Sequence, residues 1–446
     1  MNSNNPQALK GKHLDRKYWI EIYLAWSIAL TATSLLAFYI AIEYLQIDSS
    51  LSALWLSPSG DSAFEYRNPV IGIHSFSDLI LHRMYAASSS PYIAPSAANI
   101  WGTPIDGSLP ASNYPPFAHL FMLPISFLPY DTSVIMLSLA TISMIVVPIF
   151  FTIRGISLPT IVSVLVAGFI FSYPMLMALD RGNLQGITTG FCLVALRLFL
   201  SKRYTFSAVM FGFAAGLKIY PILFMFLFVK QKHFKEFFIG CLTSMILTGL
   251  ALISFKGSIR ENVDGFLGAL GTFTKVTADG YFLIPNNHSP AALITFFTTN
   301  SSASLEKFSL SILTNYSPIM FVLLTALIVL GSFTTKIKEN QLLLLICISI
   351  AVIPIVVYGY ALSVFFMVLM QLFDNDTKLG NYKRVYIQGT IGLISILFMA
   401  KGIGVTDESS VTIRTFIDPL LLVALAALAL WRFRDNASPS HKRVTR

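Results

Sequence analysis

The sequence predicts an all-α, polytopic membrane protein, and three observations predict it. Hydrophobic residues make up 55% of the 446-residue chain, against roughly 45–50% in soluble domains even with Gly counted. Charged residues make up only 12%, about half the usual share. Apolar runs long enough to cross a bilayer recur along the chain, punctuated by short basic clusters. A soluble fold of this length needs more polar surface than the chain carries; lipid-facing surface removes that need.

The elements follow in order. A basic start (Lys10, Lys12, Arg16, Lys17) precedes an apolar run from Ile20 to Leu45. That run is too long for a signal-peptide core and no small-residue cleavage site follows, so it reads as an uncleaved first helix with a cytoplasmic N-terminus. Further spans are expected at 131–153, 159–178, 184–200, 236–255, 316–334, 385–400 and 413–432. Shorter apolar pieces at 116–129, 205–219, 220–229, 341–357 and 358–373 are broken by Pro or Gly. Such breaks are tolerated where the backbone lines a polar cavity. The total is about 10–12 spans or half-spans in a single membrane domain, residues 1–446.

Lys202–Arg203, Lys230–Lys232–Lys235, Lys336–Lys338, Lys378–Lys383–Arg384 and the tail after Arg432, including 433–446, read as cytoplasmic. The stretches 46–115, 256–315 and 401–412 then fall outside. The formal charge of +9 is dispersed among these loops, which excludes a nucleic-acid domain and points to anionic lipid. Trp19, Tyr44 and Trp55 read as interfacial anchors. Cys192, Cys241 and Cys347 lie in apolar runs without metal spacing and read as packing residues.

The stretch 46–115 is acidic (Asp48, Asp61, Glu65, Asp78, Asp106). Within it, Phe76, Leu79, Ile80, Arg83, Met84 and Ala87 recur at helical spacing, predicting an amphipathic helix along the membrane surface. Asp78 and His82 share one side of it. An early, acidic, partly helical outer loop favours an enzyme. A transporter or flippase of lipid-linked saccharides is the alternative; it concentrates polar residues at mid-membrane in pseudo-symmetric halves, and the sequence shows no repeat. An O-antigen-type ligase or polymerase is the other, and would place its main outer loop late.

An ordered set of motifs carries a resemblance. It comprises Asp78 on its helix, Ser90-Pro91-Tyr92, Asn113-Tyr114-Pro115-Pro116 opening an apolar helix that ends Leu128-Pro129, Asp180-Arg181-Gly182-Asn183-Leu184-Gln185, and Gly212 and Gly216 before Leu217-Lys218-Ile219-Tyr220-Pro221. Over residues 70–255 this order resembles glycosyltransferase family 87, the polyprenol-phosphate-mannose-type enzymes of the GT-C fold. Two departures stand out. The family's Gly-Gln-x-Asn turn has its amides exchanged, Asn183 first and Gln185 second. The late outer turn Pro354-Ile355-Val356-Val357-Tyr358-Gly359-Tyr360 lacks the His that members often carry, which makes His288 in the other outer loop a substitute phosphate ligand.

The resemblance implies inverting transfer of a hexose, mannose by type, from a polyprenyl-phosphate donor to a lipid or glycan acceptor on the outer face of a bacterial-type inner membrane. One carboxylate suffices as base, and Asp78 is the candidate. Lys218 and Arg181 are candidate phosphate ligands, since a leaving phosphate needs cationic donors. Asn183, Gln185, Tyr114, Tyr220 and His82 complete the expected substrate contacts. No cofactor is expected beyond the lipid-linked donor, and the chemistry does not require a metal.

Overall fold

The computed structural model describes residues 17–33, 36, 76–88, 90–92, 112–280, 287–299, 303–354, 357–374, 381–399 and 413–430. The expectations for Tyr44 and Trp55, for most of the first outer stretch, for 401–412 and for the tail 433–446 lie outside these residues. The described residues form helices and no named strand, so the protein is an all-α membrane protein.

The helices are α1 (17–33), α2 (Ser77–Ala87), α3 (Pro116–Ser126), α4 (Tyr130–Ile153), α5 (Leu158–Ile170), α6 (Tyr173–Arg181), α7 (Leu184–Leu200), α8 (Tyr204–Leu217), α9 (Tyr220–Lys230) and α10 (Phe234–Ser254). Then follow α11 (Ile259–Gly280), α12 (Pro290–Thr299), α13 (Ala303–Phe333), α14 (Glu339–Val352), α15 (Gly359–Asp374), α16 (Asn381–Phe398) and α17 (Ile413–Leu430). By length and composition α4, α10 and 315–333 of α13 can each cross a membrane, and α5 with α6 forms a further span bent by 60°. The other apolar helices are short. Their breaks fall where Pro opens a helix, at Pro116, Pro174 and Pro221, because Pro lacks the N–H that a first turn leaves unbonded anyway.

Lipid-facing surface is visible on α10, where Phe238, Leu242, Met245, Ile246, Leu250 and Ile253 stand exposed along one stripe. In water such a stripe would drive association; in a bilayer it is the solvated face. One apolar core joins α1, α5, α7, α14, α15, α16 and α17. A second joins α2, α3, α4, α7 and α8 through Phe76, Leu79, Phe117, Met122, Leu137, Leu184 and Leu217. The cysteines are free, with Cys192 and Cys347 buried in the first core.

One correction concerns the first outer stretch. Helix α2 forms where the spacing predicts, but it does not lie on a surface with its polar side in solvent: Asp78, His82 and Arg83 are all buried. Arg83 accounts for part of this, since its Nη2 donates to the carbonyls of Ser126 and Leu128 at the end of α3. Those carbonyls are the groups a helix C-terminus leaves without partners. The stretch 256–315 is also largely helical, in α11, α12 and the start of α13.

Helix direction sorts the two ends of the bundle. Arg197 near the end of α7 pairs with Asp374 at the end of α15 at 3.1 Å. Lys230 at the end of α9 donates to the carbonyls of Gly331, in the last turn of α13, and Thr334, just after it. Gln231 reaches Glu339 at the start of α14, and Gln371 in α15 donates to the same carboxylate at 3.1 Å. The basic turns therefore gather at one end. The polar breaks Asp180–Gln185, Lys218–Tyr220 and Tyr358–Tyr360 occupy the opposite ends of the same helices.

Candidate functional site

The break between α6 and α7 is built by its own sequence. Gly182 takes φ 61°, its N–H donates to Leu179 O at 3.1 Å, and the N–H of Asn183 donates to Ala178 O at 3.0 Å. This pair of bonds closes a helix with a left-handed residue, where Gly carries no Cβ penalty. Asn183 then caps α7, its Oδ1 accepting the N–H of Gln185 at 2.8 Å. A Cβ on Gly182 would lie 2.7 Å from Leu79 Cβ. Gly182→Ala is therefore expected to cost about 2 kcal/mol from backbone strain and crowding and to displace α2. Detergent-induced unfolding measures the cost.

That break meets α2. The Phe76 N–H donates to Asp180 O at 2.8 Å, which sets Asp78 against Arg181. Arg181 Nε donates to Asp78 Oδ2 and Nη2 to Oδ1, both at 3.0 Å. Asn183 Nδ2 adds a bond to Oδ2 at 2.6 Å. Burial alone would raise the Asp78 pKa; the Arg181 charge and these hydrogen bonds outweigh it and hold the carboxyl down at about 2. An ionised carboxylate offers about four acceptor positions. Three are taken among the described residues, which leaves one on Oδ1.

Asn183 is the hub. Its Nδ2 also donates to Tyr114 Oη at 3.1 Å, and its Oδ1 accepts from Lys218 Nζ at 3.1 Å. All four positions of the amide are thereby filled, and one side chain links the carboxylate to the ammonium. Lys218 follows α8 in extended backbone, φ −144°. Its Nζ stands 5.3 Å from the ring centroids of both Tyr114 and Tyr360, a cation–π arrangement. Arg181 Cζ lies 5.1 Å from the Tyr358 ring, and Tyr358 stacks on Tyr360 with centroids 5.5 Å apart.

Beside this cluster lies a cavity of about 300 Å³ lined by Tyr114, Gln185, Lys218, Tyr220, Tyr358 and Tyr360, with Ile219, Ile350, Pro354, Val357 and Ala361 as its apolar side. Lys218 is the one charged side chain among the described lining residues. Gln185 Nε2 donates to Tyr220 Oη at 2.7 Å and Thr189 Oγ1 at 3.3 Å. Its Oε1 has no partner among the described residues.

The structure thus brings together Asp78, Arg181, Asn183, Gln185, Tyr114, Lys218, Tyr220 and His82, and four expected contacts change place. Arg181 is committed to Asp78 rather than open to a phosphate, and Asn183 is 2% exposed with its amide fully engaged. His82 does not line the cavity: its ring meets the Tyr114 ring edge-on at 4.3 Å. Burial, opposed by the Asp78 charge, lowers the His82 pKa to about 4, so it is neutral near pH 7. The fourth is His288, which is wholly buried with Nδ1 2.9 Å from Asp418 Oδ2, so it does not substitute as a phosphate ligand. Sequence reasoning marked the Tyr358–Tyr360 break as part of the site without naming its two tyrosines as contacts, and it missed Asp418 altogether. An Asp before Pro419 inside the apolar α17 was the available signal, because a carboxylate at membrane depth requires a partner.

Among the described residues no three His, Cys, Asp or Glu side chains cluster as metal ligands. The family model for glycosyltransferase family 87 matches residues 113–352, more than half of the chain. The matched stretch holds Tyr114, Arg181, Asn183, Gln185, Lys218, Tyr220 and His288, while Asp78, Tyr358, Tyr360 and Asp418 lie outside it. No curated protein matches the chain.

Proposed function

The chain belongs to glycosyltransferase family 87, and on that premise we propose that it transfers a hexose, mannose by resemblance, from a polyprenyl-phosphate donor to a lipid or glycan acceptor on the outer face of the membrane. The observation that carries this reading is the Asn183 amide, which joins a buried carboxylate on one side to the cavity's single ammonium on the other.

A sugar on a polyprenyl monophosphate is a phosphodiester with one negative charge, and Lys218 supplies one positive charge to the cavity. The rings of Tyr114, Tyr220, Tyr358 and Tyr360 offer flat apolar faces to a pyranose, and the open Gln185 Oε1 offers an acceptor to one of its hydroxyls. The apolar side at Ile219, Ile350, Pro354 and Val357 suits the first isoprene unit. The volume stands at the small end of ligand pockets, roughly 300–1,000 Å³.

The reaction is one displacement. The acceptor oxygen attacks the anomeric carbon as the carbon–oxygen bond to phosphate breaks, and the electron pair leaves with the phosphate, where Lys218 Nζ stabilises it. The hydroxyl proton passes to Asp78 Oδ1, the position left open. Arg181 keeps Asp78 ionised and aimed, which replaces its expected role as a phosphate ligand. A single displacement inverts the anomeric centre, and no second carboxylate is required. The outer-face assignment rests on the basic turns gathering at the other end of the bundle.

The test offers the purified protein in lipid a choice of polyprenyl-phosphate hexose, polyprenyl-diphosphate hexose and nucleotide sugar, each radiolabelled, with a crude acceptor fraction. Transfer from the monophosphate is expected. Transfer from the diphosphate or the nucleotide sugar alone would overturn the reading.

A further inference from the structure

Behind the tyrosine wall of the cavity lies a second buried polar group that the proposed reaction does not use. The Asn287–His288 segment, just before α12, is tied to the strand-like strap that leads into α15. The His288 N–H donates to Val357 O at 2.9 Å, and the Val357 N–H donates to Asn287 Oδ1 at 3.0 Å. Asn287 Oδ1 also accepts the Ser289 N–H at 3.1 Å, which fixes the direction of the amide. The His288 side chain is pinned from the other side by Asp418 of α17, Nδ1 to Oδ2 2.9 Å, with both side chains 0% exposed. Tyr173 fills the space between: its ring meets His288 edge-on at 6.2 Å. On its other side the ring lies against Gly359, where a Cβ would come within 2.1 Å of Tyr173 Cε1.

Tyr358 follows in the strap and Tyr360 lies in the first turn of α15, and their rings stand over Arg181 and Lys218. From these juxtapositions we infer that His288 and Asp418 are positioning residues: by holding Val357 from behind, they set the distance between the tyrosine wall and the two cations, and so set how closely the glycosyl phosphate is gripped. This rests on the reading of the cavity as the donor site. Physical cost supports a dedicated role. A buried carboxylate on an apolar helix is expensive to maintain, and its partner belongs to the segment whose backbone holds Val357 of the cavity wall. Neither side chain is among the residues that line the cavity.

The experiment uses the full chain in lipid nanodiscs, with hydrogen exchange read by mass spectrometry and donor kinetics read beside it. The variants are Asp418→Asn, His288→Gln and the two combined, with Arg197→Gln at the opposite end of the bundle as control. Loss of a buried partner corresponds to about tenfold faster local exchange. That rise is expected in the single variants, confined to peptides covering 287–292 and 357–364, together with a donor KM about tenfold higher and a smaller change in kcat. The double variant, which can keep an amide–amide bond, is expected to recover protection of the strap. The inference is overturned by unchanged exchange in the strap, by an equal rise across α7 and α8, or by a double variant no better than the single ones. The exchange measurement needs no substrate, so it stands even if the protein accepts no polyprenyl-phosphate donor; that outcome would remove the donor reading and leave the latch to be judged on exchange alone.

Discussion

Asp78→Asn is expected to lower kcat by about 10²–10⁴-fold, the usual worth of a positioned general base, while the donor still binds. The substitution has a second effect that must be separated from the first. Arg181 loses its counter-charge in a site where its side chain is 10% exposed, and breaking a buried pair from one side costs about 3–5 kcal/mol. A double variant, Asp78→Asn with Arg181→Met, removes both charges and is expected to regain stability. If Asp78 is the base, the double variant refolds well and remains slow. If the pair only holds α2 to α6, the double variant regains rate along with stability, and the base assignment falls. Stopped-time label transfer and unfolding midpoints on the same preparations decide between these. Acid behaviour follows from the same geometry. The folded carboxyl sits at about 2, below its ordinary value of 3.8, so the stability it contributes is fully present above about pH 4 and is lost as pH falls through about 2. A rate change between pH 5 and 8 then belongs to another group.

Lys218→Gln is expected to weaken donor binding by about 10- to 100-fold, because a charge-assisted bond to an anionic oxygen contributes about 1.5–3 kcal/mol. It should also lower kcat, since the same ammonium meets the charge that develops on the departing phosphate. Gln removes the charge and keeps an N–H donor on a side chain one bond shorter than Lys, whose Nζ stands 3.1 Å from Asn183 Oδ1. Two controls sharpen the measurement. Lys218→Arg should retain part of the binding. An uncharged alkyl glycoside should compete equally well with both proteins. If the uncharged glycoside loses as much affinity as the charged donor, Lys218 shapes the cavity and does not bind phosphate.

The order of helices was legible because hydropathy and Pro placement are local properties. The breaks at Tyr114–Pro116, Asp180–Gln185 and Lys218–Pro221 were legible for the same reason, and each supplies residues to the site. Pairing was not legible. Arg181 and Asp78 are 103 positions apart, so nothing in the spacing of either shows that the arginine is spent on the carboxylate rather than on a phosphate. Asn183 was named as a sugar contact, yet its cap position at the start of α7 and its bonds to Tyr114 and Lys218 consume the whole amide. The inward turn of α2 escaped notice because a helix carrying Asp78, His82 and Arg83 looks solvated until the C-terminus of α3 is seen to take up Arg83. His288 was displaced by Asp418, a residue hidden in a run that hydropathy reads as an ordinary span.

The central claim is that a sugar leaves a polyprenyl monophosphate between Asp78 and Lys218, and one assay meets it directly. Purified protein in lipid is given polyprenyl-phosphate-[14C]mannose and an acceptor fraction, and the anomeric configuration of the labelled product is determined. Inverted product from the unaltered protein is predicted, falling at least 100-fold in Asp78→Asn with the fold intact. Retained configuration, or full transfer by that variant, would contradict the account.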